Sequence, residues 1–345
     1  MNLRQLSESL GLSQTTVSRA LNGYPEVNEE TRARVVEAAR LHNYRPNLRA
    51  RSLATGRAQA IGHVLPISTR HELVNPIFAD FVAGAGEIYT QAGYEMLLSI
   101  VPDSEEAATY SNLMARAAVD GVVLHAPVMA DPRIAHLRAL GLPFVVHGRA
   151  SDVEGGYDFV DVDNRRAFRR ATDFLIDLGH RHIGLVNGTE TMDFAHRRRQ
   201  GYVAALTEAG LPVRDAVMDS GEMTEQFGYR SAAQQLRLPD PPTGFVVASI
   251  IAALGVRRAV EEQGQVLGRD ISIVTFDDEL SYLANSGDVP MFTAMRSSIR
   301  AAGRQVAEML LRRVDCPQLP PQEVLLQADL VIGRSTARLV EGARA

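Results

Sequence analysis

Leu10-Gly11-Leu12-Ser13-Gln14-Thr15-Thr16-Val17-Ser18-Arg19-Ala20-Leu21-Asn22 reads as two short helices joined at a glycine. Asn2 is placed to cap a first helix whose Leu3, Leu6 and Leu10 share one face, and Gly11 can take the left-handed conformation that ends it. Ser13 caps the second helix. There Val17, Ala20 and Leu21 form the core face, while Gln14, Thr15, Ser18 and Arg19 are left outward. Such side chains suit a helix entering a DNA major groove, because Gln and Arg pair with base edges. An ordinary helical hairpin with a solvated face has the same pattern. A third helix, capped at Asn28 and running to about His42, is expected to bury Val35, Val36 and Ala39. Asn43-Tyr44-Arg45-Pro46-Asn47 then stops it, since the residue before a proline avoids the helical region. A basic stretch over 48–57 follows, with little apolar face.

Charge divides the chain at the same place. Residues 1–60 carry nine Arg against five Glu, while the remainder is more acidic than basic and brings the whole to −5. A basic head thus precedes an acidic body. No lysine occurs in the 345 residues, which excludes a Schiff-base lysine or a Walker-type phosphate loop. Phosphate contacts must therefore come from Arg, polar side chains or backbone amides, with affinity that falls as salt rises. The single cysteine, Cys316, excludes an internal disulfide and a thiolate metal cluster. The sequence has no apolar run of about 18 residues and no signal peptide, so a cytoplasmic protein without membrane contact is expected.

After residue 60 strand and helix patterns alternate. Strands are expected at 61–67, 94–101, 121–126, 144–147, 159–162, 182–186, 245–249 and 271–276. Helical stretches fall at 77–92, 105–117, 131–140, 164–178, 197–209, 224–236 and 251–263. Continuous Val/Ile/Leu strands between amphipathic helices imply an α/β fold with parallel sheets covered on both faces, and the strand count implies two doubly wound lobes.

The run over 3–61 resembles the DNA-binding head and hinge of the lactose repressor (LacI/GalR) family of bacterial transcription regulators. Thr16-Val17-Ser18-Arg19-Ala20-Leu21-Asn22, Val27, Thr31-Arg32, Asn43-Tyr44-Arg45-Pro46-Asn47, Ala50-Arg51-Ser52-Leu53 and Ile61-Gly62 carry the likeness. Asn75-Pro76, Asp163-Asn164, Leu178-Gly179-His180-Arg181-His182-Ile183, Arg198 with Gly201-Tyr202, and Ser335-Thr336 extend it over the body. The resemblance implies a helix-turn-helix head (1–45), a hinge helix and linker (46–60), and a two-lobed periplasmic-binding-protein-like body. Its lobes would be 61–160 plus 290–324 and 161–289 plus 325–340, with crossovers near Asp161, Val289 and Leu325. It implies a homodimer on a palindromic operator, with DNA contacts from Gln14, Thr15, Thr16, Ser18, Arg19, Asn22, Tyr44, Asn47 and Arg51. Leu53 would be the wedge that enters the minor groove.

In parallel sheets ligands gather beyond the carboxyl ends of strands. By resemblance Arg198 grips the effector and Asp277 accepts from its hydroxyls, with Asp278 read as a helix cap. His125, Asn75 and Phe78 follow strand ends on the same side. Arg198 lies in His196-Arg197-Arg198-Arg199, at the expected start of a helix, where the dipole disfavours cations. The sequence departs from the family at Val247-Ala248-Ser249-Ile250, where Asn-Asp is common, at Gly148-Arg149, where an Asp is common, and at Met223, often aromatic. Ser249 and Met223 are therefore candidates for an altered specificity. The effector is expected to be a mono- or disaccharide, and the head run also resembles regulators of α-glucoside uptake. A purine or phosphorylated co-repressor, or a sugar-binding protein without a DNA role, are the alternatives. No cofactor, metal or catalytic residue is expected. His180 and His182 lack a third metal ligand, and Gly84-Ala85-Gly86 falls inside a helical pattern instead of after a strand, which rejects a dinucleotide fingerprint.

Overall fold

The computed structural model describes residues 1–21, 23–44, 56–66, 75–285 and 287–339. The expectations at Asn22, Asn47, Arg51 and Leu53 lie outside these. The chain divides into two units, 1–59 and 60–345. In the head, α1 (Leu3–Leu10) opens on a capping box. Asn2 Oδ1 accepts from Gln5 N, and Gln5 Oε1 accepts from Asn2 N, each at 2.9 Å. Gly11 ends α1 at φ +66°. The second helix, α2 (Gln14–Leu21), is held at its start by Ser13, whose Oγ accepts from Thr16 N at 3.0 Å. Asn28 caps α3 (Glu29–Leu41). Leu6, Val17, Ala20, Val27, Val35 and Ala39 form the head's core. Val36 is 50% exposed, against expectation. One residue past Val35 it is turned about 100° around α3, away from the other helices.

The body contains two six-stranded sheets. The first comprises β1 (Ala60–Pro66), β2 (Glu95–Val101), β3 (Gly121–His125), β4 (Phe144–His147), β5 (Phe159–Val162) and β11 (Glu323–Leu326) in the order β11-β5-β4-β3-β1-β2, all parallel. The second comprises β6 (Ile183–Asn187), β7 (Met218–Ser220), β8 (Gly244–Val247), β9 (Ser272–Asp277), β10 (Thr293–Arg296) and β12 (Asp329–Val331), ordered β12-β10-β9-β8-β6-β7. Only the β10–β12 pair is antiparallel. Helices α4 (Pro76–Gln91), α5 (Glu106–Ala115), α6 (Pro132–Leu140) and α11 (Ile299–Asp315) cover the first sheet. The second is covered by α7 (Asn164–Asp177), α8 (Asp193–Glu208), α9 (Glu225–Gln235) and α10 (Ile250–Glu262). The central strands β3, β6, β8 and β9 are buried on both faces, as parallel sheets require, while the edge strand β2 is partly exposed.

The chain passes between sheets after β5, after β10 and after β11. The second passage is not near Val289. Thr293–Arg296 pairs with β9, which keeps 290–296 in the second lobe, and the crossing falls at Ser297-Ser298. Likewise Leu325 and Leu326 pair with β5 in the first sheet, so that crossing follows them. The α8 helix begins at Asp193, four residues before the expected start, which puts Arg198 more than a turn inside it and removes the helix-terminus argument.

Helix α4 meets α11 through glycine. A Cβ on Gly84 would lie 2.1 Å from Arg300 O, and one on Gly303 2.2 Å from Phe81 O, while one on Gly86 would meet nothing within 4 Å. Gly84→Ala is therefore expected to cost about 1–3 kcal/mol through forced separation of the helices. Gly86→Ala, two residues away, should stabilise by up to ~1 kcal/mol through helix propensity. Urea unfolding measures both, and equal effects would deny the close crossing.

Candidate ligand cavity and nucleic-acid interface

The carboxyl ends of both sheets face one cavity of about 650 Å³, within the ~300–1,000 Å³ range of small-molecule sites. The first lobe contributes Asn75, Phe78, His125, His147 and Asp161. Asn164, Phe194, Arg198, Met223, Ala248, Phe276 and Asp278 come from the second. Asn75 also caps α4, its Oδ1 accepting from Ile77 N at 3.1 Å. Phe78 stands edge-on to His125 with ring centroids 5.3 Å apart.

Arg198 organises the second lobe's wall. It is 6% exposed, and its guanidinium lies over the rings of Phe276, Phe168 and Phe194 at 4.4, 4.9 and 4.9 Å. Nε donates to Asn164 Oδ1 and Nη1 to Ala248 O, each at 2.7 Å. Asn164 in turn donates to Asp161 Oδ1 and Val162 O at the first crossing. Burial pulls the Arg198 pKa down to about 10, with Asp278 and Asp161 opposing, so the group stays cationic at neutral pH. Its Nη2 donors make no hydrogen bond among the described residues.

Two expected contacts are corrected. Asp277 is absent from the cavity wall: its Oδ2 accepts from Arg296 Nε at 3.1 Å and its Oδ1 from Glu279 N at 2.9 Å. Arg296 is its register partner on β10, so the carboxylate is consumed in joining two strands. Asp278, one residue on, lines the cavity with a carboxylate that has no hydrogen-bond partner among the described residues. It is no helix cap. Ser249 caps α10, its Oγ accepting from Ile251 N at 3.1 Å, and it does not line the cavity. Met223 does, with Sδ 3.9 Å from Arg198 Nη1. The sequence reading assigned no role to Asn164, His147, Phe194 or Phe276. His147 carried a usable signal, for it ends β4 in register with His125 at the end of β3.

The lobes are stitched beside the cavity. Ser151 N and Oγ donate to the Asp193 carboxylate, and Asp193 N donates to Pro127 O. Arg197 bridges Asp161 and Asp193, each at 3.2 Å. Farther along, Ser281 N donates to Asp80 Oδ2 at 2.8 Å. His180 is bonded to Thr243 and Ser272, and His182 to Asp240, which gives both histidines structural roles.

In the head, Gln14, Thr15 and Arg19 are exposed on α2. Thr16 shares its hydroxyl with Ser13 at 2.8 Å, and Tyr44 packs against the head's core. A helix-turn-helix head joined to a two-lobed body that encloses a small-molecule cavity defines a class of ligand-controlled DNA-binding proteins.

Residues 7–47 match the family described as bacterial regulatory proteins, lacI family, and residues 172–336 match the periplasmic binding protein-like domain. The chain is 45% identical to the HTH-type transcriptional regulator AglR of Rhizobium meliloti (strain 1021), over 97% of this chain and 94% of that protein. Its fold is similar to the Lac repressor dimer bound to operator and the anti-inducer ONPF, with a TM-score of 0.84 and 25% identity over 98% and 99% of the two chains. The CelR–cellobiose complex is similar at a TM-score of 0.72 and 28% identity over 97% and 99%. The chain belongs to the LacI family. It is a DNA-binding transcriptional regulator and not an enzyme.

Burial pushes the Asp278 carboxyl up to about 7, with Arg198 opposing and Asp277 reinforcing. A folded-state value above the unfolded one means stability present at low pH and lost as pH rises from about 4 through about 7. Burial also raises Asp161, to about 6, so the difference between Asp278→Asn and the parent isolates Asp278. The variant's advantage in urea unfolding should grow by a few kcal/mol across that window and then level off. Parallel profiles would contradict the buried, unpartnered carboxylate.

Proposed function

We propose that this regulator is a cytoplasmic, homodimeric repressor of carbohydrate uptake or catabolism genes, released from a palindromic operator by a mono- or disaccharide, an α-glucoside being the first candidate. The arrangement around Arg198 carries the reading. A guanidinium fork and an unpartnered carboxylate stand among aromatic faces, the combination that binds vicinal hydroxyls while apolar sugar faces pack on rings. The CelR relative's complex contains cellobiose, and the cavity has room for two rings. Among the described residues no helix is long and apolar enough to cross a membrane.

Gln14, Thr15, Ser18 and Arg19 are assigned to base edges, with Thr16 and Tyr44 at the backbone and Asn22, Asn47, Arg51 and Leu53 completing the contact. The dimer follows from an edge. Strand β2 ends the first sheet, and its Leu97, Leu98 and Ile100 are exposed, as is Tyr282 in the second lobe. An uncovered apolar edge invites a second copy. The substitution Ile100→Glu is expected to yield monomers in sedimentation velocity and to weaken operator binding at least tenfold.

Thermal unfolding against mono- and disaccharides, their phosphates and purines tests the effector class. A ligand at 100 times its Kd stabilises by about 2.7 kcal/mol. A neutral sugar should raise the melting temperature of the parent and leave Arg198→Ala unmoved, while that variant still binds operator. Stabilisation by purines or phosphates alone would replace the sugar with a co-repressor.

A further inference from the structure

The phenylalanines that line the cavity differ in the surface they still expose. Phe276 is 2% exposed and belongs to the second lobe's core, and Phe78 is 7% exposed. Phe194 is half-buried and is part of no hydrophobic core among the described residues. A large ring that borders a cavity without joining a core keeps apolar surface for a ligand to bury. Its seat is built from two sides. Phe194 and Arg198 stand one turn apart on α8, and the guanidinium lies over the ring, 4.9 Å from its centroid. The chain leaving β6 runs against the ring's edge: a Cβ on Gly188 would lie 3.1 Å from both Cε2 and Cζ of Phe194, closer than side chains ordinarily pack. Asp193, the residue before Phe194, is tied to the first lobe through Ser151 and Pro127.

We propose that Phe194 is the platform on which a pyranose ring of the effector packs, and that Gly188 is a positioning residue that seats it. The proposal rests on the sugar reading of the cavity and assigns one task within it. A pyranose has a polar rim of hydroxyls and two faces made largely of C–H groups. The rim is matched by the Arg198 donors and the Asp278 carboxylate, and a C–H face needs an apolar surface beside them. Phe194 supplies that surface one helical turn from the guanidinium. A hydroxyl held by Arg198 and a face laid on Phe194 therefore belong to one bound sugar. Phe276 and Phe168 also lie against Arg198, but Phe276 is consumed in the core and Phe168 does not line the cavity. Gly188 acts at one remove, since any side chain there would displace the ring. The attachment of Asp193 to the first lobe places the platform where the lobes meet.

The chain contains no tryptophan, so F194W makes a single indole the reporter at this position. Methyl α-glucoside, maltose, sucrose and trehalose are the probes, used on the full chain. A sugar that raises the melting temperature of the parent is expected to shift the indole emission of F194W at saturation. By calorimetry the same sugar should bind F194L about tenfold more weakly than the parent, the loss expected when one ring face is no longer buried. G188A should also weaken binding in the parent, yet add nothing in the F194L background, because it acts through the ring. Unchanged affinity in F194L, or an indole emission unmoved by a sugar that still stabilises F194W, would overturn the platform. Should F194L fail to fold, the emission of F194W decides. A G188A penalty that persists in F194L would overturn the role given to Gly188. If none of the sugars stabilises the parent, the sugar reading fails and the platform with it; that result is read on the parent alone and is distinct from loss of the platform.

Discussion

A guanidinium held almost entirely out of water is the constraint on which this body is built. Taking such a charge into a low-dielectric interior is costly unless hydrogen bonds and counter-charges replace the lost hydration. Arg198 obtains these from four directions: the Asn164 amide at the first crossing, the Ala248 carbonyl after β8, the faces of Phe168, Phe194 and Phe276, and the fields of Asp278 and Asp161. They come from the start of α7, from the end of β8 and from the end of β9 as well as from α8 itself, so the position of one side chain registers the second lobe against the chain passage from the first. The same burial that makes Arg198 expensive makes its remaining donors strong.

Next to Arg198 on α8, Arg197 faces the other way and joins the lobes. With Asp161 and Asp193 it forms a charged seam, reinforced by Ser151, while Asp80 and Ser281 hold a second seam. Binding at Arg198 and alignment of the lobes are thereby coupled through one helix. An effector alters the balance between lobe arrangements only by its difference in affinity for them. Adjacent arginines with separate tasks, one toward ligand and one toward the opposite lobe, give that difference a physical origin.

Much of this was legible in the residues. Asn2, Gly11, Ser13 and Asn28 mark the head's helix boundaries because caps are local chemistry, readable without tertiary contacts. Runs of Val, Ile and Leu give the central strands for the same reason that those strands are buried on both faces. Short strands such as Met218–Ser220 and Asp329–Val331 carry too few residues for a pattern. Helix Ile299–Asp315 is absent from the sequence expectation although Ser298 caps it, since alanine and glycine occupy part of its buried face. The exchange between Asp277 and Asp278 was not readable: which of two neighbouring carboxylates reaches the cavity depends on Arg296 arriving in register from β10. Ser249 likewise looked like a substitution in a binding position and is a helix cap. Gly84 shows a residue that no binding motif explains until the backbone of α11 is seen against it.

The most direct measurement is fluorescence anisotropy of a labelled palindromic operator bound by the dimer, titrated with an α-glucoside at fixed salt. Release of the operator by at least tenfold in apparent Kd, lost in Arg198→Ala while its affinity in the absence of sugar is kept, is the expected result. Tightened binding on sugar addition, or release that survives loss of Arg198, would contradict control of this regulator by a sugar held at that guanidinium.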